Sequence, residues 1–304
     1  MKQSLLFFGL SFLMGTIALF VSLYGYGEVS TLHAAAGETG TSEMKTPFAE
    51  GCEKCHGQEP AYQEWQQAGH FHALVNLIEG PYELQTSCLS CHSSGYETFS
   101  DRVYPGHTYN IETAVNAVAC SSCHSHTSKS EHLLVKPAKH LCISCHKMDC
   151  GCAGAGIVHQ SQSEMFLGRE GAGVKRMPSP HVRAMKKRCV HCHMAKDDPE
   201  VVAQHGGHTF VADFSTCSTS GCHDSADNDM TVKLPQYRAE IEAKMQAVKA
   251  MLDASPNRNS QAYLDAKLNY DMVKGDSEYG LHNMPYANAL LDYSLSLKSE
   301  LLND

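Results

Sequence analysis

The sequence predicts a mainly α-helical fold with much irregular structure, arranged as one compact body behind an N-terminal apolar segment. Three observations support this prediction. Six short cysteine–histidine motifs lie within residues 51–225, apolar residues with helical spacing follow from Pro235 onward, and no run of residues has a convincing β-strand pattern. The intervals between the motifs are irregular, which argues against a solenoid repeat.

The six motifs each place a histidine directly after the second of two cysteines. Five have the spacing Cys-x-x-Cys-His, and the sixth has four residues between its cysteines. Two such cysteines form thioethers with the vinyl groups of one haem, and the histidine reaches the iron. The sequence therefore predicts six covalently bound haem c groups. The predicted attachment cysteines are Cys52, Cys55, Cys88, Cys91, Cys120, Cys123, Cys142, Cys145, Cys189, Cys192, Cys217 and Cys222. The predicted proximal iron ligands are His56, His92, His124, His146, His193 and His223.

Other uses of the cysteines explain the pattern less well. A zinc site needs cysteine pairs that partner each other and leaves the trailing histidine unexplained. A disulfide framework would not place a histidine after every second cysteine. Twelve of the 14 cysteines belong to the motifs, which leaves Cys150 and Cys152. A disulfide between these two would be strained and a free pair would be redox-sensitive, so their role stays open between a loop feature and a metal or partner link.

The N-terminal segment predicts export. Lys2 precedes an apolar stretch over residues 5–24, which is about the 20 residues needed to cross a bilayer and longer than the roughly 7–15 residues of a signal-peptide core. We expect residues 1–26 to be a retained transmembrane helix with its N-terminus inside, so that the body faces the periplasm or the cell exterior. The alternative is cleavage near residues 34–36, three alanines, with a secreted product.

The remainder divides into three parts. Residues 27–50 predict a flexible linker, residues 51–230 a hexahaem cytochrome c domain with a haem-packed body, and residues 231–304 a C-terminal helical region packed on that body. In the last part, Pro235 marks the start of one helix, Ser260 caps a second that ends at Gly275, and Asn283 caps a third. The apolar faces of these helices also allow contact with another subunit.

Six haems need six further axial ligands on the distal side. Of the 13 histidines outside the motifs, His33 lies in the export segment or linker. Histidine supply favours bis-histidine ligation over histidine–methionine ligation, and this lowers the reduction potential. The local sequence favours His70, His72, His107, His159, His181, His208 and His282 as distal ligands. Five others are second choices because they lie close to a motif or to a better candidate: His126, His132, His140, His191 and His205.

Four segments resemble the multihaem lineage that includes cytochrome c nitrite reductase, hydroxylamine oxidoreductase and their smaller electron-carrying relatives. They are residues 65–73, 159–165, 179–194 and 280–283. Nitrite reductases of this lineage bind their catalytic haem through Cys-x-x-Cys-Lys, which is absent from this sequence. Hydroxylamine oxidoreductases use eight haems and a cross-linked tyrosine, and six motifs fall short of that set. The resemblance therefore implies an electron-transferring, non-catalytic member.

The functional prediction is a membrane-anchored electron carrier whose partners are redox proteins or membrane oxidoreductase subunits. Two alternatives remain: an oxidoreductase of nitrogen or sulfur compounds with one five-coordinate haem, and a subunit of an extracellular cytochrome filament. The net charge of −9 gives no support for nucleic-acid binding. One basic run pairs with haem propionates or docks an acidic redox partner; it comprises Lys175, Arg176, Arg183, Lys186, Lys187 and Arg188.

Overall fold

The structure is a computed structural model that describes residues 49–80, 85–96, 110–114, 116–149, 158–218, 221–225, 228–277 and 279–303. They all belong to one structural unit, Met44–Asp304. The predicted transmembrane segment, His107, Cys150 and Cys152 lie outside the described residues. Among the helices that are described, none has the length and apolar character needed to cross a membrane.

The region that carries the motifs consists of short helices joined by irregular segments. The α-helices are α1 (Ala49–His56), α2 (Pro60–Gln67), α3 (Ala73–Ile78), α4 (Leu89–His92), α5 (Cys120–Cys123), α6 (Ala138–Leu141), α7 (Gln162–Leu167), α8 (His181–Ala184) and α9 (Cys189–His193). Short 3₁₀ turns lie at Thr86–Cys88, Glu131–Leu133, Cys142–Ser144, Gly207–Thr209 and Phe214–Ser218. The described ranges contain one isolated bridge, between His124 and Leu134, and no strand. The predicted mainly helical fold is confirmed.

Short helical turns carry most of the motif cysteines; the first motif ends the eight-residue helix α1, and in the sixth only Cys217 lies in a 3₁₀ turn. Residues three apart lie on one side of a helical turn, so α5 places Cys120 and Cys123 on the same face, and α9 does so for Cys189 and Cys192. Isolated helices this short are not stable in water. These turns therefore depend on what they bind and pack against.

Four helices follow the last motif: α10 (Met230–Ala254), α11 (Gln261–Gly275), α12 (Met284–Ser296) and α13 (Lys298–Asn303). Their apolar faces form one core, in which Ile241, Val248 and Leu290 are fully buried. The buried Asn269 side chain donates to the carbonyl of Leu290 at 3.3 Å and to that of Ala172 at 3.1 Å. The helices are thus tied to the chain segment that follows α7.

The helix starts were predicted with mixed success. Ser260 accepts a hydrogen bond from the Tyr263 amide at 3.2 Å, and Asn283 caps α12, so both predicted caps are confirmed. The predicted start of the first helix at Pro235 was wrong. The helix begins at Met230, because the Asp229 side chain accepts a hydrogen bond from the Thr231 amide at 2.8 Å and sets the N-terminus earlier. Pro235 lies inside α10.

Segment 158–177 holds the C-terminal helices against the motif-bearing region. The Tyr286 hydroxyl accepts from the Gly171 amide at 2.9 Å, and the Asn283 side chain donates to the carbonyls of Met165 and Met177 at 3.0 and 2.7 Å. These bonds fix the start of α12, and with it the position of His282 in the preceding 3₁₀ turn, Leu281–Asn283.

Candidate haem sites

Every motif histidine faces one further histidine. The ring centroids of the six pairs lie 5.9–6.3 Å apart. Two imidazole nitrogens on one metal, each at about 2 Å, place the ring centres about 6 Å apart. The pairs therefore fit an iron between the two rings. In motif order they are His56–His126, His92–His159, His124–His208, His146–His70, His193–His282 and His223–His181.

The pairs include five of the predicted distal candidates: His70, His159, His181, His208 and His282. The structure does not place His72 opposite a motif histidine among the described residues. It directly precedes α3 as its N-cap residue, and its ring centroid lies 5.0 Å from that of Phe71. The seventh candidate, His107, is not among the described residues.

His126 takes the place opposite His56, although the sequence made it a second choice. It lies two residues after His124, and this closeness counted against it. Closeness to a motif excludes a histidine only from that motif's own iron, since the short connection cannot reach the other side of the ring. The signal that could have found it is the pair of histidines at 124 and 126, which can serve two different sites.

Interactions between attachment cysteines show which motifs lie next to each other. None of the twelve forms a disulfide in the described part of the chain. The side chains of Cys52 and Cys120 interact, as do those of Cys142 and Cys189. The first motif therefore lies beside the third, and the fourth beside the fifth.

A third thiol pair adds the second motif to this group. The hydrogen bond with Cys145 lowers the pKa of the Cys91 thiol to about 6, so the second motif also lies beside the fourth. Cys123 raises the pKa of Cys145, after the larger effects of Cys91 and burial, and Cys217 contributes after burial to the raised pKa of Cys192. These electrostatic interactions place the third motif near the fourth and the fifth near the sixth.

Hydrogen bonds at Nδ1 orient most of the motif histidines. An Nδ1–H that donates to a fixed acceptor leaves Nε2 with its lone pair for a metal and sets the ring plane. Four of the acceptors are neutral: the Ala73 carbonyl for His92 (3.3 Å), the His132 carbonyl for His124 (2.7 Å), the Gln160 side chain for His146 (2.9 Å) and the Phe210 carbonyl for His193 (2.9 Å). The fifth is the exposed Glu59 carboxylate for His56 (2.9 Å).

Burial favours the neutral form of several of the paired histidines. It lowers the pKa of His70 to about 4, with further lowering from His146 and His193. Burial also lowers the pKa values of His146, His193 and His208. A neutral imidazole is the form that binds a metal ion, so these sites are prepared for ligation at neutral pH.

Glu64 holds the loop that presents His208. Its side chain is buried and accepts hydrogen bonds from the Lys196 ammonium at 2.6 Å and from the amides of Ala203 and His208 at 2.8 Å each. Burial raises the pKa of the Glu64 carboxyl, but these hydrogen bonds outweigh it and leave the pKa below its usual value. A Cβ on Gly207, which has φ of +53°, would lie 2.3 Å from the carboxylate.

Phe210 joins three of the sites. Its ring centroid lies 4.4 Å from that of His70 and 5.8 Å from that of His208, and its carbonyl accepts from His193. The residue has a left-handed backbone with φ of +57°, which directs the carbonyl to one site and the ring to two others. The third, fourth and fifth sites therefore share one neighbour.

The comparisons with known proteins agree with this arrangement. The family described as "Doubled CXXCH motif" matches residues 113–149, which contain the third and fourth motifs. The fold resembles the crystal structure of the outer cell wall cytochrome OcwA, with a TM-score of 0.65 and 30% identity over 78% of this chain and 50% of that one. The chain has the fold and haem-attachment motifs of a multihaem c-type cytochrome.

A second solved structure extends the likeness in fold. The undecaheme cytochrome from the S-layer of Carboxydothermus ferrireducens has a TM-score of 0.59 and 22% identity, over 76% of this chain and 40% of that one. This multihaem chain thus spans half the length of OcwA and less of the S-layer protein. None of the curated proteins matches it. These similarities are to multihaem cytochromes, and they do not show the nitrite reductase and hydroxylamine oxidoreductase lineage.

Proposed function

We propose that this chain is a hexahaem c-type cytochrome that transfers electrons outside the cytoplasm. The six histidine pairs carry the proposal. A haem iron between two imidazoles takes up and returns one electron and has no position left for a substrate. The oxidoreductase alternative needs an iron with one open side, and six paired motif histidines argue against it.

The chain's own residues supply the attachment, the axial ligands and the connection between sites. In each motif the two cysteines would form the thioethers, and the motif histidine and its partner would bind the iron. The thiol contacts support a branched array: the first motif beside the third, the third beside the fourth, and both the second and the fifth beside the fourth. The sixth motif extends the branch that begins at the fifth. We infer that the fourth site is the branching point.

Location and partners belong to the same proposal. The similar structures are named as an outer cell wall cytochrome and an S-layer cytochrome, which supports a position outside the cytoplasm. We propose that residues 1–26 anchor the chain in a membrane and that redox proteins or membrane oxidoreductase subunits deliver or accept the electrons. The relationship to electron-carrying members of the nitrite reductase lineage remains a proposal. It is supported by the fact that all four resembling segments contain a paired histidine, among them His70 and His159.

The test is the intact mass and the EPR spectrum of the purified full chain. We expect six haem masses above the polypeptide and low-spin signals alone. Five haem masses would mean that the long sixth motif is not used. A high-spin signal that responds to cyanide in the unaltered protein would overturn the electron-carrier proposal in favour of the oxidoreductase.

A pair of variants makes this test specific. His208→Ala removes one partner of His124 and should convert one haem of the six to high spin. His205→Ala changes an exposed histidine in the same loop and should leave every haem low-spin. Equal spectra from both variants would contradict the assignment of His208 as an axial ligand.

A further inference from the structure

His282 differs from the other paired histidines in its hydrogen bond to a buried carboxylate. The Asp276 Oδ1 atom lies 2.7 Å from His282 Nδ1, and Oδ2 accepts from the His282 amide at 3.4 Å. The Asp276 side chain is 0% exposed and that of His282 is 27% exposed. One carboxylate therefore fixes both the backbone and the ring of this histidine.

The turn between α11 and α12 brings the two residues together at a conformational cost. Asp276 directly follows the last residue of α11. Ser277, Tyr279 and Gly280 then have φ values of 65°, 53° and 80°, a left-handed region that residues other than glycine rarely adopt. Strained backbone persists where surrounding structure imposes it, often at functional positions. Here it returns His282 to within reach of Asp276.

Among the described residues, the other acceptors near the Nδ1 atoms of paired histidines are uncharged, exposed to water or already paired with a lysine. The acceptors for four motif histidines are carbonyl or amide oxygens. Glu59 reaches His56 at 2.9 Å, but these side chains are 56% and 46% exposed, so water screens the charge. Glu64 lies 4.0 Å from His208 Nδ1 and is paired with Lys196.

The opposite ring completes an ordered pair. His193 donates through Nδ1 to the Phe210 carbonyl at 2.9 Å. The planes of His193 and His282 are 11° apart, whereas the other five pairs are tilted by 32–81°. Each ring is therefore oriented by a hydrogen bond at its Nδ1 atom, and the two rings are almost parallel.

We propose that Asp276 is a positioning residue that, through His282, makes the haem of the fifth motif the lowest in reduction potential of the six. This inference rests on the proposed function, because it requires haem between His193 and His282. An Nδ1–H that donates to a carboxylate makes the imidazole a stronger electron donor at Nε2. Stronger donation stabilises the ferric iron against one-electron reduction to the ferrous form, and burial preserves the effect because water does not screen the carboxylate.

The test is a potentiometric titration of the haem-loaded full chain, followed by visible and EPR spectra. Asp276→Asn keeps the shape and an acceptor for Nδ1 but removes the charge. Changes in such partners alter metal affinity or activity by about 10–100-fold, and we expect an effect of the same order on the iron's oxidation equilibrium. A shift of that size in the ferric–ferrous equilibrium is about 60–120 mV at 59 mV per decade. We expect the lowest of six transitions to move up by this amount, and the most rhombic low-spin EPR signal, that of the near-parallel pair, to change with it.

Glu59→Gln is the matched control, since it removes the same kind of charge from the exposed bond to His56. It should cause a smaller shift, and in another transition. If Asp276→Asn shifts no transition, or none more than Glu59→Gln does, the inference is overturned while the proposed function stands. A high-spin haem that binds cyanide in the unaltered protein would instead defeat the proposed function.

A second variant covers loss of ligation. If Asp276→Asn itself produces a high-spin haem, Asp276→Glu restores the charge. A low-spin protein with the lowest transition near its original potential would then support the inference. A potential displaced upward despite the restored carboxylate and intact ligation would overturn it.

Discussion

The C-terminal helices and the motif-bearing region are stabilised in opposite ways. Helices α10–α13 share a core of sixteen buried apolar residues, one of which, Met165, comes from α7. Elsewhere in the described part of residues 51–225, buried apolar side chains form two clusters of five and three residues. Because the motif helices are also too short to be stable alone, this region must take most of its apolar contact from the haems. The comparison indicates that the C-terminal helices form their core among themselves, whereas the apolar contacts of the motif-bearing region depend on bound haem.

Removal of all haems should cause the largest difference in stability between the two regions. A chain made without haem attachment should lose ordered structure in α1–α6 and keep slow amide exchange in α10, α11 and α12, because those helices bury their own apolar faces. Hydrogen exchange read by mass spectrometry measures both regions in one sample. Equal protection of the motif-bearing region with and without haem would contradict the comparison.

Within the motif-bearing region, the buried hydrogen-bond network around Glu64 stabilises the fold where the apolar clusters are small. Glu64→Gln should lower the free energy of unfolding of the haem-loaded protein by about 3 kcal/mol, since it leaves the Lys196 ammonium, 14% exposed, without its counter-charge. Denaturant unfolding measures the change. Glu200→Gln alters an exposed carboxylate in the segment that carries Lys196 and should have little effect. A similar loss of unfolding free energy from both variants would argue against the buried network.

A cavity in the core of the C-terminal helices should lower the free energy of unfolding. Leu290→Ala should cost about 2–5 kcal/mol, because the side chain is fully buried between α10, α11 and α12. Leu264→Ala, at a residue 51% exposed on α11, is the matched control and should change the free energy of unfolding little. The effect of Leu290→Ala on helix stability should be the same with and without haem. A dependence on haem would show that the helical core is not self-sufficient.

The sequence predicted the features that depend on local chemistry. The caps at Ser260 and Asn283 follow from side chains that bond amides three residues away, so a short window of sequence contains them. The start of α10 was missed because Asp229 and Pro235 both provide start signals, and the aspartate cap prevailed. The motifs are equally local, since spacing alone carries their chemistry.

The histidine pairs are not local, and this limited their prediction. His70 meets a histidine 76 positions later, and His193 one 89 positions later. Sequence context could rank candidate histidines but could not assign them to motifs, because the assignment depends on how distant segments fold together. Asp276 was missed for a related reason: its role exists only once the left-handed turn brings it back to His282.

The histidine pairs also determine the order in which the sites can be completed as the chain emerges. A chain that emerges from its N-terminus presents the first motif early, yet His126 completes that site only after the second and third motifs have followed. The fourth site, whose partner His70 precedes it, is complete as soon as His146 emerges. The fifth must wait for His282, long after its cysteines, so it is the last to acquire both ligands. On the proposed ligation, a haem attached at that motif during export would have only one of its two histidine ligands until the C-terminal helices have arrived.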